Sequence, residues 1–308
     1  MARLDAADGA TEKALAELEK KLAEIYARAE KDLSEKVDHY FGRFAVLDRQ
    51  KRMLVDAGKL SEADYQAWRR AKVATGEHWQ QMRQQIADRI TQADREAMAY
   101  LNGQLPEIYS LNYDALAKSI KDQLGEGFSF ELVDASTVRN LATSDKTLLP
   151  YKVVNGQKAE RWHTQRVNAE IMQGILQGES IPEIAKRLKT NVGMSACGSA
   201  VRNARTAVTS AENKGRMDML HDAREKGVMS KKIWIAAHDS RTREAHLELD
   251  KTDAEVDDPF VNELGEIMYP GDPDADPANT YNCRCTLIYR VTGFRNPKTG
   301  VVKKIGFG

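Results

Sequence analysis

The sequence predicts a mainly α-helical chain closed by a small α+β C-terminal domain. Three observations predict it. The N-terminal half is striped at helical spacing, the middle carries matched helix starts and stops, and two short runs of branched residues flank an acidic, proline-rich excursion near the C-terminus. The expected organisation is a helical N-terminal arm over 1–130, a second domain over 131–292 that is helical from 155 to 227 and mixed from 228 to 292, and a basic tail over 293–308.

Between Thr11 and Leu54 there is no proline and one glycine, and apolar residues recur at Leu15, Leu18, Leu22, Ile25, Ala29, Leu33, Val37, Phe41, Phe44 and Leu47. Steps of three and four place these on one face of a single helix, which at 1.5 Å per residue reaches roughly 60 Å. Ser61 with Asp64 reads as an N-cap, and Trp79, Met82, Ile86, Ile90, Ala93, Ala97 and Leu101 form a second stripe, so the two helices are expected to pair as a long antiparallel hairpin. Stripes of this kind ordinarily form core, which favours packing within the chain over self-association. Pro106 is expected to end the second helix, with Ile108, Tyr109, Leu111, Tyr113 and Leu116 beginning a separate piece and Gly125–Phe130 forming a turn.

In the middle, a helix over Ala159–Leu176 is expected to stop at Gly178. Ser180-Ile-Pro-Glu183 then supplies an N-cap, a first-turn proline and a capping-box glutamate for a short helix through Leu188. A further helix is expected from Gly198 to Lys226, ended by Gly227. The short strands fall around 231–237, with Ile233 and Ile235 on one face and Trp234 on the other, and around 284–291.

With 46 basic and 46 acidic residues the chain is neutral and lacks the overall positive charge of a general nucleic-acid binder. The charge is nevertheless segmented: residues 151–234 carry a net +7, residues 250–276 set ten carboxylates against Lys251 alone, and residues 277–308 hold six basic groups and no acid. No apolar run is long enough for a membrane span and the N-terminus lacks a signal-peptide pattern, so synthesis and assembly in the cytoplasm are expected. Three cysteines suit a reducing compartment, and Cys197 between Ala196 and Gly198 reads as a buried apolar residue.

The chemistry-bearing residues lie around the excursion. His246 on one side and Cys283 with Cys285 on the other are placed to clamp its base, and zinc is the natural ion for two thiolates and an imidazole. Asp239, His238 or water would complete the set. Two other readings of the same residues stand beside a structural zinc site: a hydrogen-bonded knot in which His246 bonds a carboxylate such as Asp239, or a strained disulfide between the two cysteines. Asp239, His246 and a cysteine also make a nominal acid, base and nucleophile, so a metal-dependent nuclease or hydrolase is the alternative function. No Gly-rich phosphate loop or His-Glu-x-x-His helix supports it. Arg241 and Arg243 beside Asp239 read first as intramolecular ion-pair partners.

The series Ala204-Arg205-Thr206, Trp234, Asp239 with Arg241 and Arg243, His246, Asp258-Pro-Phe260, Pro270-Gly-Asp-Pro273 and Asn282-Cys-Arg-Cys285 resembles the Mu F-like minor head proteins of tailed phages over roughly residues 155–292. Arg205, Trp234, Pro270 and Asn282 are its structural motif positions. Ala207 stands where the family often has Glu, and Lys251 where it often has Gly after Leu-Asp. The resemblance implies a virion component with no enzymatic activity, bound to the portal or inner capsid. It would act with portal and head proteins in head assembly, DNA packaging or DNA delivery, and the basic tail would be free to face packaged DNA. Some proteins of this class carry an ADP-ribosyltransferase domain after the family domain, whereas only 16 residues follow Thr292 here.

Overall fold

The computed structural model describes residues 6–75, 77–124, 130–144, 148–296 and 299–304. In chain order the elements are α1 (Ala6–Asp56), α2 (Glu62–Thr75), α3 (Glu77–Leu124), α4 (Ala135–Ser144), α5 (Gly156–Leu176), α6 (Ile181–Glu225), β1 (Val228–Ile235), α7 (Glu244–Glu248), β2 (Asp253–Glu255), β3 (Phe260–Asn262), β4 (Gly265–Ile267), α8 (Pro277–Thr280), β5 (Thr286–Arg295) and β6 (Val302–Lys304). The chain is mainly helical with its sheet confined to the C-terminal region, as its periodicity predicts. Two compact units form from non-contiguous segments: one from residues 1–19, 100–152 and 201–308, the other from 20–99 and 153–200.

The second unit contains the helical hairpin. Leu22, Ile25, Ala29, Leu33, Val37, Phe41 and Phe44 of α1 are buried, as are Trp79, Met82, Ile86, Ile90, Ala93 and Ala97 of α3. The pairing is antiparallel: Phe41 meets Trp79 edge to face at 5.4 Å, Asp32 pairs with Arg89 at 2.8 Å, and Tyr26 donates to Asp94 at 2.6 Å. His163 of α5 reaches the other oxygen of Asp94 at 2.9 Å. Ser61 caps α2 through the Asp64 amide at 3.0 Å, and the Ser180 amide donates to Glu183 at 2.6 Å, the capping-box bond expected of that glutamate.

Two expected breaks are absent. Pro106 lies inside α3, which continues to Leu124. A proline there costs about 3 kcal/mol, but Leu101, Leu105, Ile108, Tyr109, Tyr113 and Leu116 are all buried, and that burial outweighs the lost hydrogen bond. The helices expected over 180–188 and 198–226 are likewise one helix, α6, whose small and branched face of Val192, Ala196, Ala200, Ala204, Ala207, Val208 and Ala211 is buried without interruption. The turn expected over 125–130 lies, up to residue 129, outside the described residues.

In the first unit α6 crosses α3 at Gly215, where an added Cβ would stand 2.5 Å from the Tyr109 carbonyl oxygen. The main sheet runs β2-β1-β5-β6, antiparallel throughout, with Ile233 opposite Ile288 and Trp234 opposite Leu287 in the central pair. Both central strands are offset from the expected ranges, β1 starting earlier and β5 running on to Arg295. β6 pairs with the end of β5, so residues 293–295 and 302–304 of the expected tail belong to the sheet. Val228, Ser230, Lys232 and Trp234 form the buried face of β1. The excursion holds a small hairpin of its own, with Phe260 opposite Ile267 across β3 and β4. No helix among the described residues is long and apolar enough to cross a membrane.

Candidate functional site

The base of the acidic excursion is closed by α7 on one side and the approach to β5 on the other. His246 of α7, Cys283 and Cys285 converge there, only 1, 2 and 2 % exposed. The Nδ1 atom of His246 lies 3.6 Å from Cys283 Sγ and 3.5 Å from Cys285 Sγ. Its Nε2 lies 2.9 Å from Oδ1 of Asn279, a fully buried residue of α8 whose side chain also exchanges hydrogen bonds with Asn262. The Trp234 ring walls the site, edge to face with His246 at 5.2 Å and with Phe260 at 5.4 Å.

The two thiols titrate as a pair. Cys283 donates toward Cys285, which raises the Cys283 thiol well above its ordinary value with burial adding to the effect. The same hydrogen bond, aided by His246, pulls Cys285 down against the cost of its burial.

Neither side chain expected as a fourth ligand joins the trio. Asp239 is gripped by the Arg284 guanidinium, Nη2 at 2.6 Å from Oδ1 and Nη1 on Oδ2, and the Arg241 amide adds a bond at 2.9 Å. The Arg284 hydrogen bond holds this carboxyl well below the usual range. His238 instead faces Asp250 at 2.8 Å, and Asp250 also accepts from the Ala236 amide at 2.9 Å. The expected bond between His246 and Asp239 is therefore replaced by one to Asn279, which carries no sequence signal because it lies in a run of turn-forming residues.

A second set of contacts fixes the Cys-x-Cys segment against α6. Thr206 accepts from the Asn282 amide at 2.8 Å, Thr209 donates to the Cys283 carbonyl at 2.7 Å, Asn213 accepts from the Leu287 amide at 2.7 Å, and Arg216 donates to the Leu287 carbonyl at 2.8 Å. These four residues are three or four apart and share one helix face. Of them only Thr206 belongs to a motif read from the sequence. Its neighbour Arg205 pairs with Glu19 at 2.7 Å.

The remaining motif words shape the backbone. Pro270 is buried, and Gly271, at φ +81°, comes so close to α6 that a Cβ would meet the Ser210 nitrogen at 2.8 Å. Asp272 then accepts the Met268 amide at 3.0 Å and the Asp274 amide at 3.0 Å, tying the Pro-Gly-Asp-Pro turn. Asn282 takes a left-handed conformation at φ +57°, which asparagine tolerates better than most residues. Lys232, fully buried, donates to the Met268 carbonyl at 2.8 Å and lies over the Phe260 ring. Burial brings its pKa down to about 8.

Residues 165–288 match the family model described as Phage Mu protein F like protein, a span that contains every motif above. The chain is also similar to Minor head protein GP7 of Bacillus phage SPP1, 26% identical over 281 residues that cover 91% of this chain and 84% of the relative. A shorter similarity, 33% identity over 133 residues, joins 42% of the chain to about a quarter of NAD(+)--arginine ADP-ribosyltransferase EFV of Enterococcus faecalis. No solved structure matches the chain. The family match and the similarity to a minor head protein along nearly the whole length agree: residues 165–288 form a Phage Mu F-like domain, in a chain that is similar to a bacteriophage minor head protein.

Proposed function

We propose that this chain is a structural component of a tailed-phage head that docks on the portal vertex or the inner capsid surface and acts in head assembly, DNA packaging or DNA delivery. One observation carries the reading: the similarity to a minor head protein extends over 91% of the chain, so it takes in the helical arm as well as the family domain. The arm offers α1 side chains for docking, with Val46, Leu47 and Met53 exposed at 58, 46 and 64 %. The basic residues after Arg290 are suited to packaged DNA or acidic neighbours.

The protein works on this reading in the virion, and in the host cytoplasm during assembly, without catalysis. A nuclease or hydrolase centred on Asp239, His246, Cys283 and Cys285 would need substrate access that a trio at most 2 % exposed does not offer, and would need Asp239 released from Arg284. Co-expression with the portal protein of the same phage, followed by sizing, tests the docking. Co-elution that is lost in Val46→Glu/Met53→Glu with helicity unchanged is the expected result. Separate elution of the two wild-type proteins overturns the portal reading.

A further inference from the structure

We propose that His246 Nδ1, Cys283 Sγ and Cys285 Sγ bind one zinc ion, which staples the acidic excursion shut at its base. These are the residues among those described that gather as a potential metal-binding group, with all three ligand atoms within 4.8 Å of one another.

The spacing fits the ion. With Zn–N near 2.05 Å and Zn–S near 2.3 Å, the nitrogen-to-sulfur edge of a coordination tetrahedron is roughly 3.5 Å. The two edges here are 3.5 and 3.6 Å. A hydrogen-bonded knot would allow similar distances, so the case rests on the surrounding groups.

The imidazole is oriented as a ligand. Asn279 Oδ1 accepts from Asn262 Nδ2 at 3.1 Å and so presents an oxygen to His246 Nε2. Nε2 therefore carries a proton, and the neutral imidazole of that tautomer turns its Nδ1 lone pair to the two sulfurs. A carbonyl oxygen fixing the outer nitrogen is the usual support of a metal-bound histidine.

The charge of the ligand set points the same way. Cys283 Sγ accepts the Cys285 N–H at 3.4 Å, which points that sulfur's lone pairs along the turn. In the bound state two thiolates with a neutral imidazole carry a charge of about −2, which one divalent ion cancels. Binding releases the thiol protons to solvent and forms two Zn–S bonds and one Zn–N bond. No fourth histidine, cysteine or carboxylate of the described residues joins the group, so the ion would have three protein ligands of these types.

The test is zinc content per chain, measured on the full-length protein purified in one sizing peak from zinc-supplemented cells. One zinc per chain is expected, retained in Cys197→Ser and lost in Cys283→Ser and Cys285→Ser. Asn279→Ala should weaken the site roughly 10- to 100-fold in competition with a chelator. If the cysteine variants fail to fold, cobalt exchange into the wild type serves instead, with thiolate-to-cobalt charge transfer and four-coordinate d–d bands as the expected signature. Folded protein with background zinc and no cobalt bands overturns the proposal. So does an intact mass short of two hydrogens through a Cys283–Cys285 disulfide, and so does a stoichiometric metal other than zinc.

Discussion

Arg216 and Asp8 stand 208 positions apart in the chain, yet Nη2 of Arg216 donates to Oδ1 of Asp8 at 2.7 Å with both side chains almost sealed from water. Around them Thr286 donates to Glu212 at 2.8 Å, and the Arg216 Nε donates to Asn112 at 3.0 Å. The start of α1 is thereby tied to the family domain through a buried charged cluster.

Removing one partner of a buried ion pair strands the other, so Asp8→Ala is expected to lower stability by about 3–5 kcal/mol. Urea unfolding of the full chain measures this. A loss below about 1 kcal/mol would mean that Arg216 is satisfied without Asp8.

Lys251 sits at φ +64° with its side chain in solvent, where an L-residue carries a steric cost of roughly 1–2 kcal/mol that glycine escapes. The family's frequent glycine at this position has its physical reason here. Lys251→Gly should stabilise the protein by about 1 kcal/mol once the added freedom of the unfolded chain is subtracted. The contact of Lys251 with Asp250, at 3.9 Å and largely exposed, contributes little to offset that gain. A midpoint equal to or below that of the wild type refutes the assignment of strain.

Gly271 presents the reverse case. Its φ of +81° and the 2.8 Å approach to the Ser210 nitrogen leave no room for a methyl group. Gly271→Ala is expected to lower stability by more than about 1 kcal/mol, with the loss visible as an earlier thermal transition.

Lys232 gives stability a pH dependence. Its pKa falls from 10.5 to about 8 on folding, because burial disfavours the ammonium. Between those values the unfolded chain holds a proton that the folded chain has released, so raising the pH favours folding. The penalty is full below about 8 and is relieved toward 10.5. The buried tyrosines, whose pKa values burial raises, act oppositely above pH 10. Comparing wild type with Lys232→Met cancels their effect: the wild type should gain stability relative to the variant across this window, and a constant difference would contradict the shift.

The stripes of α1 and α3 were legible because helical periodicity survives whatever packs against it. Pro106 misled because local propensity is weaker than the burial of Leu101, Leu105 and Ile108 around it. The continuity of α6 past residues 188–198 was hidden for the same reason. In the excursion, ten carboxylates masked a hairpin that rests on one apolar pair, Phe260 with Ile267. His246, Cys283 and Cys285 could be grouped from residue type and spacing. Their orienting partner Asn279 and the α6 residues Thr209, Asn213 and Arg216 could not, since each acts across more than thirty positions through a neutral or backbone-directed bond.

The row of Thr206, Thr209, Asn213 and Arg216 bonds main-chain atoms of residues 282–287, not their side chains. Its helix face therefore works as a ruler that sets the strand's register independently of what precedes it. A slip of one residue would turn every side chain of β5 to the wrong face, and the ruler forbids it. Exposed charges between His246 and Asn282 can therefore be exchanged without moving the alignment of the strand beneath them.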